Sequence, residues 1–262
     1  MGRSPGPVRL ALSWMTVLPT GTAGAPDERA AGRAMTAQPV VGLVCGLLAA
    51  GVAHGVLALG GPELLGGALG VAAVVLLTRG MHVDALADTA DALGSYAEPE
   101  RAREIMHSGS VGPMGSAALA LTLLVEAVAL GALAWSGAWA APVAALVLSR
   151  CLPVAFLRRG VPAAPRSGFG ALVAGSQSAP AVAAVGFVAA AAGACCALGA
   201  GWGAVAWWAP ALGAALGVAL YACTGAVSGY VLRRIGGVTG DVLGASIELG
   251  CAAALTAAVL LT

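Results

Sequence analysis

The sequence predicts an all-α fold, a polytopic integral membrane bundle of about seven transmembrane helices. Mean hydropathy is +0.91, and 59% of the 262 residues are hydrophobic while 10% are charged. The apolar residues gather into runs near the ~20 residues that a bilayer helix needs. With those runs taken as spans, every arginine falls in or beside loops of one side. A chain this apolar is not a water-soluble globule. Its net charge of +1 is uninformative about partners; those expected are the bilayer and small-molecule substrates, and no nucleic acid.

The N-terminal stretch imitates a secretory signal, with Arg3 and Arg9, the run 10–17 and Ala23-Gly24-Ala25. That run is short, is broken by Ser13 and Thr16, and is followed by Pro19, so we expect a retained interfacial or re-entrant piece. The spans follow at 39–60, 64–78 (extending towards Val83), 116–135, 139–157, 181–200, 205–231 and 242–262. Gly42/Gly46, Gly66/Gly70 and Gly225/Gly229 offer small-xxx-small faces for close helix packing. Between the second and third spans, Pro99 suits a helix start and Gly109 a stop, which predicts a surface helix over 98–108 with Ala102, Ile105 and Met106 inward. Cys45, Cys151, Cys195, Cys196, Cys223 and Cys251 lie in apolar segments without metal-ligand spacing and read as small core residues.

The arginines set the expected orientation. Arg29, Arg33, Arg79, Arg101, Arg103, Arg150, Arg158, Arg159, Arg166, Arg233 and Arg234 share one side, whereas the opposite loops are short and carry only Glu63. By the positive-inside rule the arginine side is cytoplasmic. Residues 1–262 then form a single integral membrane catalytic domain, with cytoplasmic segments near 79–115, 158–179 and 233–244.

The chemistry is expected in those segments. Asp84, Asp88 and Asp91 fall at roughly 0°, 40° and −20° around a helix, so three acids share one face in a chain that spends few acids elsewhere. Like charges so close call for a hard divalent cation, Mg²⁺ first, and a metal held this way commonly carries phosphate. His82 sits on the far side of that helix. The run 236–244 is a glycine-rich loop ending in Asp241, where Gly237 and Gly240 let a backbone approach an anion. Asp241 and Glu248 share a face of the last span, with Glu248 about two turns into the bilayer and Arg150 as a counter-charge. Ser167–Gly170, after Arg166, reads as an ordinary turn, with a second phosphate-approach loop as the alternative.

The run Met81–Asp91 (MHVDALADTAD) resembles the HxDGLADTxDG signature of the adenosylcobinamide-GDP ribazoletransferase (cobalamin 5′-phosphate synthase) family. Glu104-Ile105-Met106 with Gly112 and Gly115 resembles that family's EIM…G…G segment, and Gly237–Leu249 its GxTGDxLGAxIEL segment. Weaker matches at Leu18-Pro19, Pro39 with Gly42, Ser149-Arg150 and 168–170 extend the likeness over nearly the whole chain. The chain departs from the family at Ser108-Gly109-Ser110 (commonly Asp-Ser-Arg), at Ala85 and Ala92 (commonly glycine) and at Glu126 (a lysine site).

The resemblance implies a multi-pass bacterial inner-membrane enzyme with its site on the cytoplasmic side. It would join adenosylcobinamide-GDP to α-ribazole or its 5′-phosphate with Mg²⁺ as cofactor, releasing GMP. Asp84, Asp88 and Asp91 would hold the metal, with Asp241 completing the site. One of the three aspartates, or His82, would help deprotonate the acceptor hydroxyl, and Arg150 or Arg166 would neutralise phosphate charge. A homo-oligomer is left open. Two other classes compete. A CDP-alcohol-type membrane phosphotransferase also clusters aspartates on a helix, but Ala92 follows Asp91 with no Ala-Arg and no later aspartate pair before Asp241. A proton- or ion-coupled transporter would use Asp88, Glu126 and Glu248 near the bilayer midplane.

Overall fold

The computed structural model describes residues 6–21, 27–164, 168–201 and 207–260. Along these residues run α1 (Pro7–Met15), α2 (Glu28–Thr36), α3 (Gln38–Ala58), α4 (Glu63–Leu77), α5 (Met81–Gly94), α6 (Pro99–Met106) and α7 (Pro113–Trp135). Then come α8 (Ala140–Cys151), α9 (Pro153–Phe156), α10 (Phe169–Val173), α11 (Ala179–Gly199), α12 (Ala209–Ile235) and α13 (Gly240–Leu260). The described residues hold no strand beyond two isolated bridges, Arg158 with Gln177 and Ala163 with Val238.

Each expected apolar run is helical, but their lengths differ. By length and composition α3, α7, α11, α12 and α13 each suffice to cross a bilayer. The second run ends at Leu77 after 15 residues, and α5 leaves it at 92°. The corner is made by Arg79 (φ 57°) and Gly80 (φ 67°), both left-handed, where the helical ladder of α4 cannot continue. The fourth run is short because Pro153, which has no N–H to continue the ladder, divides it into α8 and α9. Among the described residues the count of about seven therefore resolves into five full-length spans, six if α4 and α5 form one broken span, and the shorter apolar stretch Ala140–Phe156.

Glycine governs how closely the helices meet. A Cβ on Gly46 would lie 2.7 Å from Val143 Cα, and Gly42 meets the backbone of Leu146 and Val147, so α3 and α8 touch backbone to backbone. Gly66 and Gly70 face Ala53 and Ala49 in the same way. The pair Gly225/Gly229 has no such partner; the close contact of α11 with α12 is made by Gly193, Gly213 and Gly217 instead.

The polar segments gather at one end of the bundle. Val17 N–H donates to Leu77 C=O (2.8 Å) and Arg79 Nη2 to Trp14 C=O (2.9 Å), which straps α1 to the α4–α5 corner. Arg103 Nη1 donates to Ile235 C=O (2.7 Å), so α6 closes the C-terminus of α12, and Arg158 donates to Ser228 Oγ (3.1 Å). α6 buries Ala102 and Met106, with Ile105 half-buried, as the pattern predicts. Ala23-Gly24-Ala25 lies outside the described residues.

Candidate active site

The site is built on α5. Beyond the corner this helix is amphipathic: His82, Ala85, Leu86, Ala87, Thr89 and Ala92 are buried against α7 and α13, Asp84 is exposed, and Asp88 and Asp91 are half-buried. α13 packs on it through Gly244, where an added Cβ would stand 2.5 Å from Ala85 Cβ and 3.5 Å from His82 Cα. The last span therefore meets the second run through α5, the continuation of that run beyond the corner. Asp241, in the first turn of α13, comes to the same end as the acids of α5.

The aspartates do not share one environment. Asp91 Oδ2 accepts from Gly112 N–H (2.6 Å) and Oδ1 from Gly115 N–H (2.8 Å), so its carboxylate caps the start of α7. A Cβ at Gly112 would lie 2.6 Å from Asp91 Oδ1, which explains why this position is glycine. Asp88, on α5 and off the axis of the spans, has its carboxyl pushed up to about 6. Burial is the first cause, followed by repulsion from Asp84 and Asp241, with Asp91 a weaker contributor and the His107 charge acting the other way. No cation lies within salt-bridge distance of Asp84, Asp88 or Asp241 among the described residues.

Two predicted residues sit inside the bundle. His82 is 3% exposed, its Nδ1 stands 3.7 Å from Glu248 Oε1, and neither ring nitrogen has a hydrogen bond. Arg150 is 1% exposed, donates from Nη1 to Ser149 Oγ (2.8 Å), and shares with Glu126, Glu248 and Cys251 the wall of a cavity of about 20 Å³. Arg150 thus lies buried near two buried glutamates, inside the bundle and not in the lining of the cavity beside Asp241. Arg166 and Ser167 lie outside the described residues.

The glycine-rich loop also divides. Gly237 (φ 139°) is covered by backbone: Val238 N–H donates to Pro162 C=O (2.9 Å) and Ala164 N–H to Val238 C=O (3.0 Å). A Cβ at Gly237 would meet Ala164 N at 2.5 Å, so the close approach at this glycine is made by the backbone of residues 162–164. Thr239 Oγ1 accepts from Val242 N–H (3.2 Å) and caps α13, while Gly240 and Asp241 line an adjoining cavity of about 460 Å³. Trp14, Met35, Met81, Phe169 and Leu243 form its apolar walls, and Arg79 and His82 also line it.

Comparison with known proteins agrees with this arrangement of motifs. Residues 7–259 match the cobalamin-5-phosphate synthase family. The chain belongs to that family. A Corynebacterium efficiens protein named adenosylcobinamide-GDP ribazoletransferase is 42% identical over 250 residues, 94% of this chain and 88% of the relative. Proteins of the same name from Frankia casuarinae (38% over 264 residues, 94% of this chain, 92% of the relative) and Pseudomonas putida (37% over 244 residues, 93% and 94%) also match. No solved structure matches. Membership makes the chain a membrane-embedded transferase of cobalamin biosynthesis and sets aside the CDP-alcohol and transporter alternatives.

For a cobalamin-5-phosphate synthase the donor set matters as much as the fold. Among the described residues no three Asp, Glu, His or Cys side chains are grouped closely enough to enclose a metal ion alone. Carboxylates that repel one another and lack a cation suit Mg²⁺, which takes one or two of them and completes its shell with water and substrate phosphate. The residues present fit an open site of that kind and not a closed cage. Sequence reasoning passed over His107. It ends α6, its Nδ1 is 2.6 Å from Arg103 C=O, and its charge reaches Asp88. Only the tertiary fold brings it there; the helix spacing of α5 carried no signal for it.

Proposed function

We propose that this protein transfers the adenosylcobinamide-phosphate group of adenosylcobinamide-GDP to α-ribazole or its 5′-phosphate, in a Mg²⁺-dependent reaction at the cytoplasmic face of the bacterial inner membrane. The observation that carries the proposal is the convergence of Asp84, Asp88 and Asp241 at one end of the bundle with no cation paired to them. The names of its relatives support adenosylcobinamide-GDP as a substrate.

In the reaction a ribose hydroxyl of the acceptor would form a new P–O bond to the phosphorus next to the cobinamide while the bond from that same phosphorus to the bridging oxygen breaks, the bridging oxygen departing with GMP. GMP leaves with the bond's electron pair. Asp84 and Asp88 would hold Mg²⁺, which offsets charge on the pyrophosphate oxygens. Asp241 lines the cavity beside these acids, and we assign it to receive the hydroxyl proton. Asp91 fixes α7 against α5 and thereby fixes the register of the other two aspartates. The charge of His107 acts on both Asp88 and Asp241, and we assign this residue to meet the leaving phosphate.

Membranes containing the protein, incubated with adenosylcobinamide-GDP, α-ribazole and Mg²⁺, should release GMP, and release should stop on chelation and return when Mg²⁺ is restored. GMP release at an unchanged rate in excess chelator would remove the metal from the proposal. No release at all would remove the reaction.

A further inference from the structure

The cavity beside Asp241 is lined mostly by apolar side chains, with Ser13, Arg79, His82 and Asp241 as its polar ones. Trp14 of α1 and Phe169 of α10 meet edge to face, with ring centroids 5.2 Å apart at 83°, and Met35, Met81 and Leu243 line the same space. At about 460 Å³ it suits a ligand of drug size, and a corrin macrocycle with its side chains does not enter. Arg79 contributes to the lining in a left-handed conformation (φ 57°), a strained choice for an arginine, held by its bond to the Trp14 carbonyl. Two nucleoside bases are then candidates for the space. Guanine carries a polar edge that Met35, Met81 and Leu243 cannot satisfy, and burying such groups unpaired is costly. The benzimidazole of α-ribazole has no polar edge beyond its ring nitrogens.

We infer that this cavity is the acceptor pocket: Trp14 and Phe169 hold the flat aromatic base of the nucleoside, and its sugar faces Asp241. The donor, too large for the cavity, approaches Asp84 and Asp88 from the open side. The assignment rests on the transfer reaction proposed above. It also gives α1, which is too short to span a bilayer, a place in substrate binding.

The test is calorimetric titration of α-ribazole into the purified full-length protein without donor, paired with steady-state kinetics. Trp14→Ala and Phe169→Ala should each weaken α-ribazole binding roughly tenfold and raise its KM alike, leaving the KM for adenosylcobinamide-GDP unchanged. The unchanged donor KM reports intact folding. Phe169→Tyr, which keeps the ring, should keep the affinity, and Phe169→Leu, which keeps most of the volume, should not. Unchanged acceptor affinity in the alanine variants overturns the assignment, as does an equal rise in both KM values. GMP competing with α-ribazole for the wild-type protein overturns it in favour of the guanine. GMP release by the wild type together with unaltered acceptor affinity in the variants sinks this inference alone; absence of GMP release sinks the reaction instead.

Discussion

Asp91 uses both carboxylate oxygens on the N–H groups of Gly112 and Gly115, whereas Asp84 and Asp88 have no such partners, and the same substitution should therefore act differently along α5. Asp84→Asn and Asp88→Asn should leave the inserted protein as stable as before and lower turnover roughly a hundredfold or more, the usual scale for losing an oriented metal contact. Asp91→Ala should lower stability by about 2–4 kcal/mol, because two charge-assisted bonds at a helix start are lost together. Thermal unfolding in detergent and GMP release, measured on each variant, separate the two effects; equal behaviour of all three would refute the division. Helical spacing was enough to place Asp84, Asp88 and Asp91 on one face. What Asp91 binds was not legible, because its partners lie 21 and 24 residues away at the start of another helix.

Arg150 poses the same question inside the bundle. Fully buried beside Glu126 and Glu248, it leaves two acids without a counter-charge if removed, and Arg150→Met should cost about 3–5 kcal/mol. Loss of folded protein on size-exclusion chromatography would show this. A variant that folds normally and fails only in phosphate binding would return Arg150 to the site. The sequence offered Arg150 as a counter-charge for Glu248, both lying in apolar runs, but gave no sign that Glu126 lines the same small cavity.

Among the elements, the contact between α5 and α13 decides whether a site exists. Gly244 allows it by leaving room for Ala85 and the backbone of His82. Gly244→Val would push the helices apart and carry Asp241 away from Asp88. Turnover should fall by at least tenfold while insertion and the other helix contacts persist, since α13 also packs on α7 and α8. Near-normal activity in this variant would mean that Asp241 does not belong to the site. The periodicity of apolar residues located α3, α7, α11, α12 and α13 with boundaries off by a few residues. It could not foresee the corner after Leu77, because no proline marks it and the break rests on left-handed Arg79 and Gly80. Nor did it distinguish glycines that join helices from glycines that merely sit in them: Gly42 and Gly46 were legible as a pair, and so, wrongly, were Gly225 and Gly229.

For the whole molecule, the arginines tie the connecting segments into one polar end, through Arg79 to α1, Arg103 to α12 and Arg158 to Ser228. If that end is cytoplasmic, as the charge bias predicts, a cysteine placed at Ser136 in a cysteine-free background should react with a membrane-impermeant reagent from outside, and one at Tyr96 should not. The reverse pattern would invert the protein in the membrane and put cytoplasmic nucleotides out of reach of the acids.

The strap from Val17 and Trp14 to the α4–α5 corner bears on how this protein can be handled. α1 leads directly into a wall of the acceptor cavity, while α13 runs from Gly240 at the polar end to Leu260 at the opposite one, so the two ends of the chain are not equivalent handles. A fusion placed ahead of Pro7 loads the helix that carries Trp14, whereas one placed beyond Leu260 loads the end of α13 opposite Asp241. Anyone wishing to purify, immobilise or display an active form should build from the far end.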